Sequence, residues 1–211
     1  MTRIVEINSN NLASYENDIK FAADVIKEGG LVAFPTETVY GLGVIYNSEE
    51  AFINLVNVKN RRPDKPFTLM LGNKEEIEKY ADFSLKTKKI IDELMPGEIT
   101  LLLKPKEGLF SWVTLGSKYI GVRVPASEEV CNMINKVNEP MLVTSANISN
   151  EPVCQTFEEV YDKFNDKVAI IVKGEVKSKV PSTIVICDEE LILVREGGIP
   201  FDKIKEIWEK E

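Results

Sequence analysis

Eight short apolar runs recur along the chain: LVAF (31–34), FTLML (67–71), ITLLLK (99–104), IGVRV (120–124), MLVT (141–144), VAIIV (168–172), STIVIC (182–187) and LILVR (191–195). Runs of four to six such residues have the length of strands that are buried on both faces. Between them the apolar spacing changes to three and four. Residues 14–28 read as an amphipathic helix ended by Gly29 and Gly30, and Ser48 caps a helix with Ala51, Phe52, Leu55 and Val58 on its apolar side. Asn73 and Ser84 cap two more, the second stopping at Pro96-Gly97, and further helices cover 127–136, follow Thr156, and close the chain with Ile204, Ile207 and Trp208. Pro105 to Ser117 reads as a loop, and Asp188-Glu189-Glu190 as the turn of a terminal hairpin. Helices alternating with strands require an α/β fold, while the hairpin and the doubled helices exclude a simple parallel repeat. The pattern predicts a twisted, mixed parallel/antiparallel sheet with flanking helices. No Gly/Ser-rich or Pro-rich linker divides the chain, so one domain over 1–211 is expected.

Composition narrows the chemistry. The 211 residues carry 26 Lys and Arg against 34 Asp and Glu, a net charge of -8, which argues against gripping a nucleic-acid backbone and leaves direct nucleic-acid binding weak, absent or confined to a small patch. There is no histidine, and so no Ser-His-Asp triad, no H-E-x-x-H zinc site and no imidazole base. No phosphate-binding G-x-x-x-x-G-K-[ST] loop occurs, and Gly41-Leu42-Gly43 is not completed to G-x-G-x-x-G because Tyr46 holds the third position. Cys131, Cys154 and Cys187 are odd in number and form no C-x-x-C pair, as expected of buried thiols in a reducing cytoplasm. Met1 to Asn10 lacks an apolar leader and no apolar run is of membrane-spanning length, so neither export nor membrane association is expected.

What remains is polar residues placed where buried strands end. Lys59 and Arg61 lie where the second helix gives out, Arg123 sits inside IGVRV, and Ser145 and Asn147 follow MLVT. Ligands of α/β sheets settle beyond the carboxyl ends of strands, and these donors together suit a polyphosphate or a carboxylate. Taken singly, Lys59 and Arg61 read as solvated charges at a helix end, favouring its dipole. Thr36, Thr38 and Tyr40 suit hydroxyls satisfying their own turn, with Gly41 and Gly43 supplying unusual dihedrals. Arg123 must face solvent or an anionic partner.

Seven ordered segments, FPTETVYGLG, VKNRRPDKPF, PGEITLLL, GVRVPA, TSANIS, PSTIV and VREG, closely resemble the YrdC-type domain of L-threonylcarbamoyladenylate synthases over nearly the whole chain. The resemblance implies a YrdC-like sheet with a large concave cavity. It also implies formation of threonylcarbamoyl-AMP and pyrophosphate from ATP, L-threonine and bicarbonate, with Mg²⁺ accompanying ATP. The product would pass to downstream tRNA threonylcarbamoyl-transferase proteins that modify the anticodon-adjacent adenosine. The family's catalytic tetrad corresponds to Lys59, Arg61, Ser145 and Asn147, which would hold the triphosphate with Ser182 and Arg195 near the nucleotide. Thr36, Tyr40 and Arg123 would receive threonine. Met70 and Ser127 stand where many relatives carry histidine, and Asn150 stands where many carry glycine. The chain resembles the short, single-domain TsaC-like members. Two alternatives are a YciO-like paralogue, which shares the fold but lacks the full tetrad, and an RNA-binding module using the concave face.

Overall fold

The computed structural model describes residues 1–7, 12–62 and 64–210. Every one of the eight apolar runs contributes a strand: β2 (Val32–Pro35), β4 (Thr68–Met70), β6 (Ile99–Pro105), β7 (Ile120–Arg123), β8 (Met141–Ser145), β9 (Ile170–Lys173), β10 (Thr183–Cys187) and β11 (Leu191–Arg195). Three further strands lie outside those runs: β1 (Arg3–Glu6), β3 (Tyr40–Ile45) and the two-residue β5 (Ala81–Asp82). The sheet order is β1-β9-β2-β3-β8-β4-β7-β6-β10-β11, with β5 on the edge of β6, and parallel and antiparallel pairs are mixed.

The helices are α1 (Leu12–Lys27), α2 (Glu49–Lys59), α3 (Leu85–Leu94), α4 (Ser111–Thr114), α5 (Glu128–Val137), α6 (Phe157–Phe164) and α7 (Phe201–Glu209). Ser48, Ser84, Ser127 and Thr156 each accept a backbone N–H from the first turn of the helix they precede. Gly29, at φ +85°, closes α1, its N–H and that of Gly30 returning to Ile26 and Val25. Asn73 caps a 3₁₀ helix over Lys74–Lys79, not an α-helix, and the loop after Pro105 contains α4, pinned where Trp112 donates to the Tyr46 carbonyl at 2.9 Å.

β3 corrects the reading of Gly41 and Gly43. Neither is a turn residue with positive φ. Both lie in a fully buried strand, where a Cβ would press on Phe34 and Val143 at position 41 and approach Met141 to 2.7 Å at position 43. Glycine is used here for closeness of packing.

Side chains alternate across the central strands, except at the end of β8, where Val143, Thr144 and Ser145 all reach the cavity. Leu42, Leu69, Leu101, Val122, Leu142 and Val185 are fully buried in the core, whereas their neighbours Gly41, Thr68, Met70, Thr100, Gly121, Arg123, Val143 and Ser145 line a cavity. One contact reveals the curvature. Arg123 of β7 touches the segment just after β2, although β7 is four strand steps from β2 in the sheet. In a flat sheet that separation would be about 19 Å, at roughly 4.8 Å per step. Only a strongly coiled sheet brings its middle strands around a concave face.

Candidate active site

The end of α2 and the end of β8 meet through Lys59. Asn60 takes the left-handed conformation (φ 51°) and stops the helix, and Lys59 turns inward to 2 % exposure, which overturns its reading as a solvated helix-end charge. Its ammonium donates to the carbonyl of Ser145 at 2.6 Å, the carbonyl of Asn147 at 3.1 Å and Asn147 Oδ1 at 2.5 Å, with Ser145 Oγ at 3.4 Å. Ser145 Oγ in turn donates to Asn147 Oδ1 at 2.8 Å. The amide of Asn147 donates to the Ile148 and Glu151 carbonyls, and the turn is completed by Asn150 at φ 70°, the conformation expected where relatives use glycine. No carboxylate is among these partners. Burial, with the nearby Arg61 guanidinium, lowers Lys59 to about 7.

Arg61 stands beside this cluster without joining it. Its guanidinium donates to the carbonyls of Lys65 (3.1 Å) and Pro66 (2.9 Å) and lies 4.8 Å from the centre of the Phe67 ring. Arg195 is anchored on the Ser182 carbonyl at 2.7 Å, and burial together with Arg123 lowers its affinity for its proton. Arg123 meets an internal anion, since Nη2 donates to Glu37 Oε1 at 2.6 Å and to Thr38 Oγ1 at 2.9 Å. Nothing in the sequence pattern singled out Glu37, a charged residue in a polar turn. Only its position two residues after Pro35, next to hydroxyls, could have marked it.

The hydroxyls of the opening turn largely serve the turn itself. Thr36 Oγ1 donates to the Val39 carbonyl (2.7 Å), accepts the N–H groups of Thr38 and Val39, and lies 2.9 Å from Thr38 Oγ1. Tyr40 Oη donates to the Gly174 carbonyl (2.7 Å) and accepts the Gly174 N–H (3.1 Å), and burial pushes its phenol up to about 12. Tyr40 therefore presents its ring to the cavity while its hydroxyl is occupied.

The cavity holds about 420 Å³ and gathers Thr36, Tyr40, Arg61, Arg123, Ser145, Ser182 and Arg195 on one surface; Lys59 and Asn147 lie directly behind Ser145. Its lining contains three arginines and no carboxylate, with Val39, Phe67, Met70, Leu102, Val143 and Ile184 as apolar walls. The size and mixture suit a nucleotide-sized anion. A second cavity of about 540 Å³ shares Thr36 but is lined by Glu37, Glu98, Glu128, Glu129 and Glu175 against Lys173 and Lys177. A polyanion is therefore favoured in the first and repelled from the second. Ser127, at one of the histidine positions of many relatives, borders that second cavity, while Met70 borders the first. Cys154 and Cys187 are buried and Cys131 half-buried, all with free thiols. No helix of the described residues is long and apolar enough to cross a membrane.

A family model, Sua5_yciO_yrdC, described as "Telomere recombination", matches residues 24–197. A putative threonylcarbamoyl-AMP synthase of Methanocaldococcus jannaschii is 35% identical over 204 residues, covering 96% of this chain and 96% of that protein. The crystal structure of P. abyssi Sua5 complexed with L-threonine superposes with a TM-score of 0.91 at 32% identity, covering 98% of this chain and 61% of that one. This chain thus spans under two thirds of that archaeal protein. E. coli YciO shares the fold, with a TM-score of 0.87 at 24% identity over 97% of this chain and 100% of that one.

Proposed function

The chain belongs to the Sua5/YciO/YrdC family, and from that premise we propose that it is a threonylcarbamoyl-AMP synthase acting as a nucleotidyltransferase on ATP, L-threonine and bicarbonate. The observation that carries this reading is the convergence of Arg61, Ser145, Ser182 and Arg195 with Thr36 and Arg123 on one carboxylate-free cavity, backed by Lys59 and Asn147. Arg61, Ser145, Ser182 and Arg195 hold the nucleotide, and Arg123 takes threonine's carboxylate at the floor beside Thr36. Retention of all four tetrad positions favours the synthase over a YciO-like activity. The product supplies threonylcarbamoyl transfer to tRNA by downstream proteins.

The chemistry suits a chain without histidine. Threonine's amine condenses with bicarbonate, releasing water, to give a carbamate whose oxygen is already anionic. That oxygen attacks the α-phosphorus as the bond to the bridging oxygen breaks and pyrophosphate leaves. Holding two anions in line and neutralising the leaving group requires proximity and fixed positive charge, which three arginines and the Lys59 cluster provide. Mg²⁺ enters as MgATP. The cavity lining offers no carboxylate, so an ion arriving with ATP would be held by the nucleotide, whose phosphates would be gripped by Arg61, Ser145 and Arg195.

The test is pyrophosphate release from ATP and Mg²⁺ with L-threonine and bicarbonate added singly and together, and serine as the control amino acid. Release should require both additions and prefer threonine; release independent of threonine would sink the assignment.

A pH dependence follows from Lys59. The unliganded site holds it near 7, so above that pH the ammonium is largely deprotonated, and phosphate beside Ser145 favours its return. The liganded state then carries more protons than the free state, and affinity for ATP falls as pH rises from about 7. Calorimetry at pH 8 in buffers of different ionisation enthalpy should register net proton uptake on ATP binding that is absent in Lys59→Met. Equal uptake by both proteins would contradict this.

A further inference from the structure

We propose that Glu37 is a positioning residue for threonine, holding Arg123 from behind so that its guanidinium fork presents to the substrate's carboxylate; the inference rests on the reading that Arg123 receives that carboxylate. Three observations carry it. The first is that the ion pair crosses the wall between the two cavities. Arg123 lines the nucleotide-sized cavity, Glu37 lines the acidic one, and neither lines both. Glu37 therefore grips Arg123 without entering the substrate's space.

The second is the manner of the grip. Glu37 Oε1 and Thr38 Oγ1 both take the same nitrogen, Nη2, while Arg123 Nε and Glu37 Oε2 stay buried without a partner among the described residues. A side-on pair would have used Nε and Nη2 together and satisfied both orphans. The hold anchors the guanidinium at Nη2 and leaves Nη1 without a hydrogen bond among the described residues, while Nε is shut off by burial.

The third is that the anchor is rigid. The Glu37 carbonyl accepts the N–H groups of Lys177 (3.2 Å) and Ser178 (2.9 Å), and Thr36 and Tyr40 tie the residues on either side. With side chains 8% and 7% exposed, water has little access to the pair. A charge held at one end by a fixed partner can orient a second anion with little reorganisation.

Threonine and ATP kinetics of pyrophosphate release, at saturating levels of the other substrates, test this in Glu37→Gln, Thr38→Val, Arg123→Ala and the Glu37→Gln/Arg123→Ala double variant. Glu37→Gln should raise the KM for threonine roughly tenfold, within the range of directly coupled pairs, and leave kcat and the KM for ATP near wild type. Thr38→Val removes the other contact without unbalancing charge and should shift the same parameter in the same direction. The double variant should bind threonine no worse than Arg123→Ala alone. An unchanged threonine KM in Arg123→Ala would remove the reading beneath the proposal. A raised value there with wild-type behaviour in both Glu37→Gln and Thr38→Val would overturn the positioning role alone, as would parallel loss of threonine and ATP affinity in folded Glu37→Gln.

Discussion

Lys59→Met is expected to lower threonine-dependent pyrophosphate release by about a thousandfold in a protein that remains folded, since one preorganised donor to developing phosphate charge is typically worth two to three orders of magnitude. Methionine follows the same path through the interior and replaces the lysine stem, so packing is conserved. The loop it supports keeps independent holds: Ala146 N–H on the Tyr40 carbonyl, Cys154 N–H on the Ala146 carbonyl, and the Asn147 amide on Ile148 and Glu151. The variant loses charge-assisted bonds but also the burial of an ammonium. These terms oppose each other, and the net stability change should stay within about 2 kcal/mol.

The larger loss falls on chemistry because the ammonium adds its own hold on Ser145 and Asn147 to the direct bond between them and carries the charge behind them. Thermal unfolding and pyrophosphate release on the same preparation separate the two effects. Activity within tenfold of wild type would reduce Lys59 to a strut.

How much of this was legible beforehand depends on whether the deciding interactions are local. Strands β2, β4 and β6 to β10 announce themselves because burial demands unbroken apolar runs, and the caps because a single side chain satisfies its own helix; β11 carries the same pattern although Ile192, Leu193 and Val194 are exposed at the end of the sheet. β3 does not. Its glycines resemble turn residues until Phe34 and Met141 are seen occupying the space a Cβ would need. Lys59 has the same pattern whether it faces water or the interior, since a helix C-terminus favours lysine either way. The pairing of Arg123 with Glu37 joins residues 86 positions apart across four strand steps, and depends on how far the sheet coils. The apolar strand around Arg123 showed that its guanidinium had to face solvent or an anion. It could not show that the protein supplies one itself, a correction with mechanistic content, because the supplied anion becomes the holder of the binding group.

The last prediction concerns the two glycines that follow Arg195. Gly197→Ala is expected to destabilise the protein by about 3 kcal/mol, the upper range for overpacking, which for a chain of this size lowers Tm by roughly 6–12 °C. Gly198→Ala should do far less. A Cβ on Gly197 would lie 2.1 Å from the Pro181 carbonyl oxygen, 2.5 Å from the Ser182 carbonyl carbon and 2.6 Å from the Thr183 nitrogen. All three are backbone, fixed by the parallel pairing of β10 with β6, by Thr183 N–H on the Glu98 carbonyl, and by Gly197 N–H on Thr183 Oγ1. The segments must therefore separate. The separation falls between Ser182 and Arg195, whose 2.7 Å bond sets one wall of the cavity, so ATP affinity should fall with stability. A Cβ on Gly198 instead meets the carboxylate of Glu98, the far end of a side chain that can swing aside. Thermal unfolding with ATP titration of both variants provides the comparison. Equal, small effects would mean that the 195–198 segment yields easily, and that Arg195 is not held at the nucleotide by its contact with Ser182.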